Sequence, residues 1–142
     1  MTVKLVLDTN VLVSAFRSRR GASNALLQMG DEGRFQIVVS TALYLEYQEV
    51  LNRPEIRDAT GHSLEDIDAV LNALATFAIG VDIPFRTRPA MSDADDEMVL
   101  EAAVNGSADA IVTHNVRDFA AARIWKVEVV KPGEMVRRLR ND

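Results

Sequence analysis

Asp8, Thr9 and Asn10 follow directly on residues 3–7, a β-branched and leucine-rich run without clear alternation. Three more acids stand close to apolar faces. Glu46 is flanked at helical spacing by Leu43 and Val50. Asp96 shares one helical stripe with Val99, Leu100 and Ala103. Asp118 follows "IVTHN", where a strand runs into Thr113, His114 and Asn115. Carboxylates brought together repel, and some protonate unless a cation holds them. Oxygen donors without Cys or His select Mg²⁺ or Mn²⁺. Such a site suits phosphodiester hydrolysis, with the metal orienting an activated water and stabilising charge on the scissile phosphate and leaving oxygen. Thr9, Asn10, Thr113 and Asn115 would position the water or the phosphate.

Each acid also has a plainer use. Asp8 and Asp118 could cap the segments that follow them. Glu46 could pair with an arginine, because a carboxylate near a packed face is costly unless neutralised. Asp93 and Asp95 fit the first turn of a helix, where acids suit the dipole, and Ser92 with Asp95 fits a capping box. Glu49 neighbours Leu45, Asn52 and Arg53 and belongs to a solvated face. His114 has no second histidine at ligand spacing, which argues against zinc. The chain has no cysteine, so disulfides, thiolate sites and cysteine nucleophiles are excluded. No G-x-S-x-G elbow is present, so a serine hydrolase has no support. A haloacid-dehalogenase-type phosphatase needs a second Asp two residues after the first, and Asn10 stands there.

The elements that must carry these residues alternate. Strands are predicted at 3–7, 35–39, 81–83, 110–113 and 127–130. Helices are predicted at 10–17, 23–30, 40–53, 63–80 and 92–105, with a last one from Pro132 carrying Met135, Val136 and Leu139. Ser40 or Thr41 is the expected N-cap of the third helix, and Pro54 ends it. Ser63 and Asp66 fit a capping box, and Gly80 is the expected stop of that helix. Residues 54–62 and 84–92 read as loops. Alternating strands and helices predict an α/β fold with a mostly parallel central sheet and helices on both faces. In such a sheet, ligands bind beyond the carboxyl ends of the strands, where Asp8 lies.

The chain has 142 residues, which suits one domain spanning 1–142. Hydrophobic residues make up 48% and charged residues 26%, as in soluble globular proteins. No run is long enough to span a bilayer and no leader pattern is evident, so no membrane association and a cytoplasmic location are expected. A net charge of −5 is not that of a typical nucleic-acid binder. Yet Asp93, Asp95, Asp96, Glu97 and Glu101 alone account for that excess. Elsewhere acids and bases balance, and the bases cluster. Arg17, Arg19 and Arg20 follow the Asp8 turn closely enough to flank the acidic site and hold a phosphate backbone. Arg86, Arg88 and the C-terminal arginines fit a solvated face equally well.

D-T-N-V at 8–11, Glu46 in mid-helix, "DADDEMVLEAA" at 93–103 and "VTHNVRDF" at 112–119 together resemble the PIN-domain ribonucleases. Within that family the chain is most similar to the VapC-like toxins of toxin–antitoxin pairs, nearly end to end, including the closing "VVKPGEMVRRL". The resemblance implies a three-layer α/β/α sandwich with about five mostly parallel strands. It implies Mg²⁺- or Mn²⁺-dependent endonucleolytic cleavage of single-stranded RNA. Asp8, Glu46 and Asp96 carry over as catalytic and metal-ligating residues. For the fourth acid, some members have Asp where this chain has Asn115, and others use the position of Asp118. The resemblance also implies a protein antitoxin and leaves room for a homodimer. A non-catalytic RNA- or protein-binding module on the same scaffold is the alternative.

Overall fold

The computed structural model describes residues 2–88 and 90–141. The chain begins with β1 (Lys4–Leu7), α1 (Thr9–Arg17), α2 (Ala22–Asp31) and β2 (Gln36–Ser40). Three helices follow, α3 (Thr41–Leu51), α4 (Pro54–Thr60) and α5 (Leu64–Phe77), and then β3 (Ala78–Val81). The last part holds α6 (Ala94–Asn105), β4 (Ala110–Val112), a 3₁₀ segment (Val116–Trp125), β5 (Glu128–Val130) and α7 (Pro132–Arg140).

The five strands pair in the order β3-β2-β1-β4-β5, and every pairing is parallel. Leu5, Val6, Leu7, Ile37, Val38, Ile111 and Val112 are fully buried. Strands covered on both faces read as continuous apolar runs, which is why no alternation shows in the sequence. Helix α6 packs on β1, β2 and β4, while α2 packs against both α1 and α7. This is the three-layer α/β/α arrangement expected. Gly106 ends α6 where a Cβ would lie 2.4 Å from Cγ1 of Val38, so glycine alone lets the turn rest on β2.

The topology places the site. After β1 the chain builds outward through β2 and β3, then returns to lay β4 on the other side of β1. The order therefore reverses between β1 and β4. Open parallel sheets bind ligands in the crevice that such a reversal opens at the strands' carboxyl ends. Asp8 follows β1 and Thr113 follows β4.

Three local expectations are corrected. Residues 54–60 form a helix rather than a loop, because Pro54 occupies its first position and Gly61, at φ +76°, closes it. Helix α5 ends at Phe77 rather than at Gly80, and the strand begins at Ala78 instead of Val81. Gly80 pairs with Val39, so pairing with β2 decides that boundary. Asp93, rather than Ser92, caps α6, accepting from the Asp95 amide at 2.8 Å. The Ser63–Asp66 capping box and the Ser40 cap form as expected.

Candidate active site

Asp8 holds the N-cap position of α1 yet its side chain makes no capping bond there. Instead Thr113 donates its hydroxyl to Oδ2 of Asp8 at 2.8 Å. Both residues are buried, Thr113 completely. The Thr113 hydroxyl also accepts from the Asn115 amide at 3.0 Å and from Nδ2 of Asn10 at 3.4 Å. Oδ1 of Asn10 accepts from the His114 amide at 3.4 Å. One network thus locks the end of β1 to the end of β4 and sets the Asp8 carboxylate at the reversal point.

Glu46 reaches the same place from α3. The neighbouring Tyr47 is wholly buried and donates its hydroxyl to the carbonyl of Leu7 at 2.5 Å. That bond anchors α3 to the last residue of β1, and Glu46 is left half-buried beside Asp8. Asp96 comes from the first turn of α6, whose next turns bury Val99, Leu100 and Ala103 under the sheet.

These residues border one open cleft of about 520 Å³. Asp8, Glu46, Asp93, Asp95, Asp96 and Asp118 face it, together with Asn10, His114 and Asn115. Burial and crowding are visible in the acidities of Asp8, Glu46 and Asp96. Burial raises the Asp8 carboxyl, partly offset by the Thr113 bond and pushed up again by Asp118. Glu46 is raised by burial and then by Asp95. Asp96 is pushed up to about 6 by burial, then by Asp8, Asp93 and Asp118. Ionised together, these groups oppose one another, and a cation relieves that strain.

The donor set fits a hard divalent cation, since carboxylates supply the charge and no thiolate or paired imidazole competes. Among the described residues no three acidic or histidine side chains are gathered tightly enough to hold a metal ion as they stand. Asp8, Glu46, Asp96 and Asp118 border the space, and ligation would require their side chains to turn inward.

Of the basic residues expected to flank the site, Arg17 lines the cleft. Arg19 lines a separate hollow with Phe16 and His62, and Arg20 lies exposed in the turn after α1. Arg86 and Arg88 turn toward Glu101, at 4.0 and 2.8 Å. Asn115 and Asp118 both reach the cleft, so the uncertainty over the fourth position involves two residues of one wall.

Sequence reasoning missed what holds the other wall. Glu97 and Glu101 are buried carboxylates, 3% and 2% exposed, not part of a solvated acidic surface. Glu97 accepts from the Thr87 hydroxyl at 2.5 Å, from the Met91 amide at 2.8 Å and from the Ala90 amide. Glu101 accepts from the Thr87 amide and from Arg88. Asn105 exchanges two bonds with the backbone of Phe85. The three residues stand four apart on α6 and bind the loop before it along its length. Burial raises Glu97, but bonds from Thr87, Met91 and Ala90 outweigh this and hold it below its usual range. The spacing 97, 101, 105 was the available signal. The partners are chiefly backbone groups of an aperiodic loop and leave no pattern to read.

The PIN domain family model matches residues 4–117. Among curated proteins nothing matches. A chain of the crystal structure of VapBC2 from Rickettsia felis, bound to a DNA fragment from their promoter, is similar with a TM-score of 0.62 at 15% identity. The match covers 91% of this chain and 98% of that one. That similarity is one of fold. The family model spans the first four strands and ends just past the Asp8–Thr113 network, so it contains Asp8, Glu46 and Asp96. On this match the chain belongs to the PIN domain family.

Proposed function

We propose that this chain is a Mg²⁺- or Mn²⁺-dependent endoribonuclease acting on single-stranded RNA. The observation that carries the reading is the cleft at the β1/β4 reversal, where Asp8, Glu46, Asp96 and Asp118 face one space. Burial, and after it the charge of neighbouring carboxylates, raises Asp8, Glu46 and Asp96, as expected of a site completed by a cation.

Asp8 and Asp96 are the principal metal ligands in this reading, with Glu46 and Asp118 beside them. A divalent cation held there supplies Lewis acidity toward a scissile phosphate. Thr113 orients Asp8 from within. Glu46, raised by burial and by Asp95, is suited to take a proton from the attacking water. Asn10 and Asn115 offer amide groups at the rim for water or phosphate, and Arg17 attracts the backbone. A single strand, with its bases unpaired and its backbone free to turn, reaches these residues more readily than a duplex does.

We further propose that the domain, spanning 1–142, works in the cytoplasm as the toxin of a toxin–antitoxin pair. No helix among the described residues is long and apolar enough to cross a membrane. The partner would be a protein antitoxin, by analogy with the two-component, promoter-bound assembly of the Rickettsia felis structure. An antitoxin that inhibits would place an Arg or Lys among the cleft acids.

One assay tests the chemistry. Labelled single-stranded RNA, the same RNA in a duplex, and a phosphomonoester are each offered with Mn²⁺ and with EDTA. Cleavage of the single strand with Mn²⁺ alone is the expected result. Cleavage that persists in EDTA overturns the metal mechanism. Phosphate released only from the monoester overturns the nuclease reading, and tight binding without cleavage under every metal leaves a binding module. Growth arrest on expression, relieved by a co-expressed neighbouring gene, tests the toxin role separately.

A further inference from the structure

A second hollow, of about 600 Å³, lies beside the acidic cleft. Ser14 and His114 line both, so the two spaces share a wall. Their chemistry differs. The cleft is lined by carboxylates and amides. The hollow is lined largely by apolar groups, among them Ala22, Val116, Val130 and Pro132. Lys131 lines it as well, and so do Glu134, Arg137 and Arg138, with Glu134 paired to the two arginines at 3.0 and 3.3 Å.

His114 stands between the two spaces. It is exposed, yet it is not a free surface side chain. Its Nε2 lies 3.3 Å from Oγ of Ser23, which is 2% exposed, and its amide is bound to Asn10. A buried serine thus steadies an exposed aromatic ring at the edge of an apolar depression. An exposed ring normally loses rotamer freedom when it binds, and here part of that cost is already met by the fold.

We propose that this hollow is a nucleobase subsite for single-stranded RNA, in which the base next to the scissile phosphate packs on Ala22, Val116 and Val130 and stacks against His114. The inference rests on the ribonuclease reading of the neighbouring cleft. Apolar walls with one flat ring suit a base, which presents a π face and little charge. Lys131 meets the backbone as it leaves the hollow, as Arg17 does in the acidic cleft. Because stacking is tolerant of base identity, this subsite gives affinity and register more than sequence choice.

The test separates base from backbone. One probe is a labelled single-stranded RNA oligonucleotide. The other has the same length with a reduced abasic ribose at every position. Affinities for the intact protein are measured with Ca²⁺ in place of Mn²⁺. The base-bearing RNA is expected to bind about tenfold more tightly, the scale of one good stacking contact. His114→Ala should bring the two affinities together without weakening the abasic strand. Ala22→Leu, which fills the hollow from the start of α2, should do the same. His114 is exposed and Ala22 is half-buried, so both variants should fold, which thermal unfolding verifies. Equal affinities in the unaltered protein, or a preference undiminished in both variants, would overturn the subsite. Cleavage of the base-bearing strand with Mn²⁺ is followed separately. A base preference without cleavage removes the nuclease reading and keeps the subsite as a binding site. Cleavage without a base preference does the reverse, and failure to bind either strand removes both.

Discussion

The Thr113 hydroxyl donates to Oδ2 of Asp8 across 2.8 Å, joining residues 105 positions apart at the ends of two adjacent parallel strands. The bond spans the point where strand order reverses, so the fold itself supplies the crevice and this one contact sets the acid within it. Thr113 is fully buried and acts on Asp8 rather than on anything in the cleft.

Thr113→Val keeps the shape and removes the hydroxyl. It leaves the Asn115 amide, Asn10 and Asp8 without that partner, at about 1–2 kcal/mol of stability. Misorienting a metal-ligating carboxylate costs on the order of 10–100-fold in activity or metal affinity. Thermal unfolding and a Mn²⁺ titration of cleavage measure the two effects. Unchanged metal dependence in a folded Thr113→Val protein would show that the bond is structural only.

Asp96→Asn should abolish cleavage and make the metal-free domain more stable. The Asp96 carboxyl is pushed up to about 6 from a usual 3.8, so the fold disfavours its charged form. Its contribution to stability is complete below pH about 4 and is lost as pH rises through about 6. At neutral pH the aspartate is therefore a liability that asparagine lacks. Asp96 is partly exposed, and the gain is discounted to about 1 kcal/mol. The gain should vanish near pH 4. Asp93→Asn is the control, because asparagine can cap α6 as aspartate does. A variant at Asp96 that is less stable than the parent at pH 7 would contradict the repulsion described.

The outcome for Asp8, Glu46 and Asp96 shows how far a sequence carries. Glu46 and Asp96 adjoin apolar patterns of helical period and Asp8 ends a β-branched run, and that places each near the sheet. The stripe with Val99, Leu100 and Ala103 places Asp96 near the sheet, but Asp93 and Asp95 border the same cleft, so the stripe does not set it apart from them. Local signals failed where tertiary contacts decide. Gly80 resembles a helix stop, yet it lies in a strand because Val39 pairs with it. Pro54 follows the end of α3 as expected, yet it also opens a helix where a loop was expected. Glu97 and Glu101 entered only as part of the acidic excess, because their donors lie in a loop without periodicity. Arg17, Arg19 and Arg20 are close in sequence, but the helix end sends them to different surfaces.

Glu97→Ala tests the loop clamp. It strands the Thr87 hydroxyl and the Ala90 and Met91 amides, and should cost about 3 kcal/mol. The pH dependence opposes that of Asp96. Glu97 is held below its usual value of 4.5, so its contribution is present above that pH and is lost as pH falls through the folded value. The gap in thermal stability between variant and parent should narrow as pH falls below 4.5 and through that folded value. A gap that does not narrow on acidification would mean that packing, and not the charged hydrogen bonds, holds the loop.

Arg17→Glu discriminates among the three arginines that follow the Asp8 turn. Only Arg17 among them lines the acidic cleft, while Arg19 faces the hollow over Phe16 and His62 and Arg20 is exposed in the turn. Phosphate contacts release counterions, so affinity for single-stranded RNA should fall as salt rises. Removing one phosphate-contacting cation should weaken binding of every sequence alike and reduce the salt slope by about 1. Arg17→Glu should do this, and its added carboxylate should also repel the phosphate backbone. Because Glu adds a carboxylate at the cleft, Arg17→Ala is needed beside it to separate lost attraction from added repulsion. Arg20→Glu should change affinity little and leave the slope near that of the parent. The measurement is RNA affinity for each variant at several salt concentrations. If Arg20→Glu flattened the slope as much as Arg17→Ala, the RNA path would run over the turn after α1 instead of along the cleft wall.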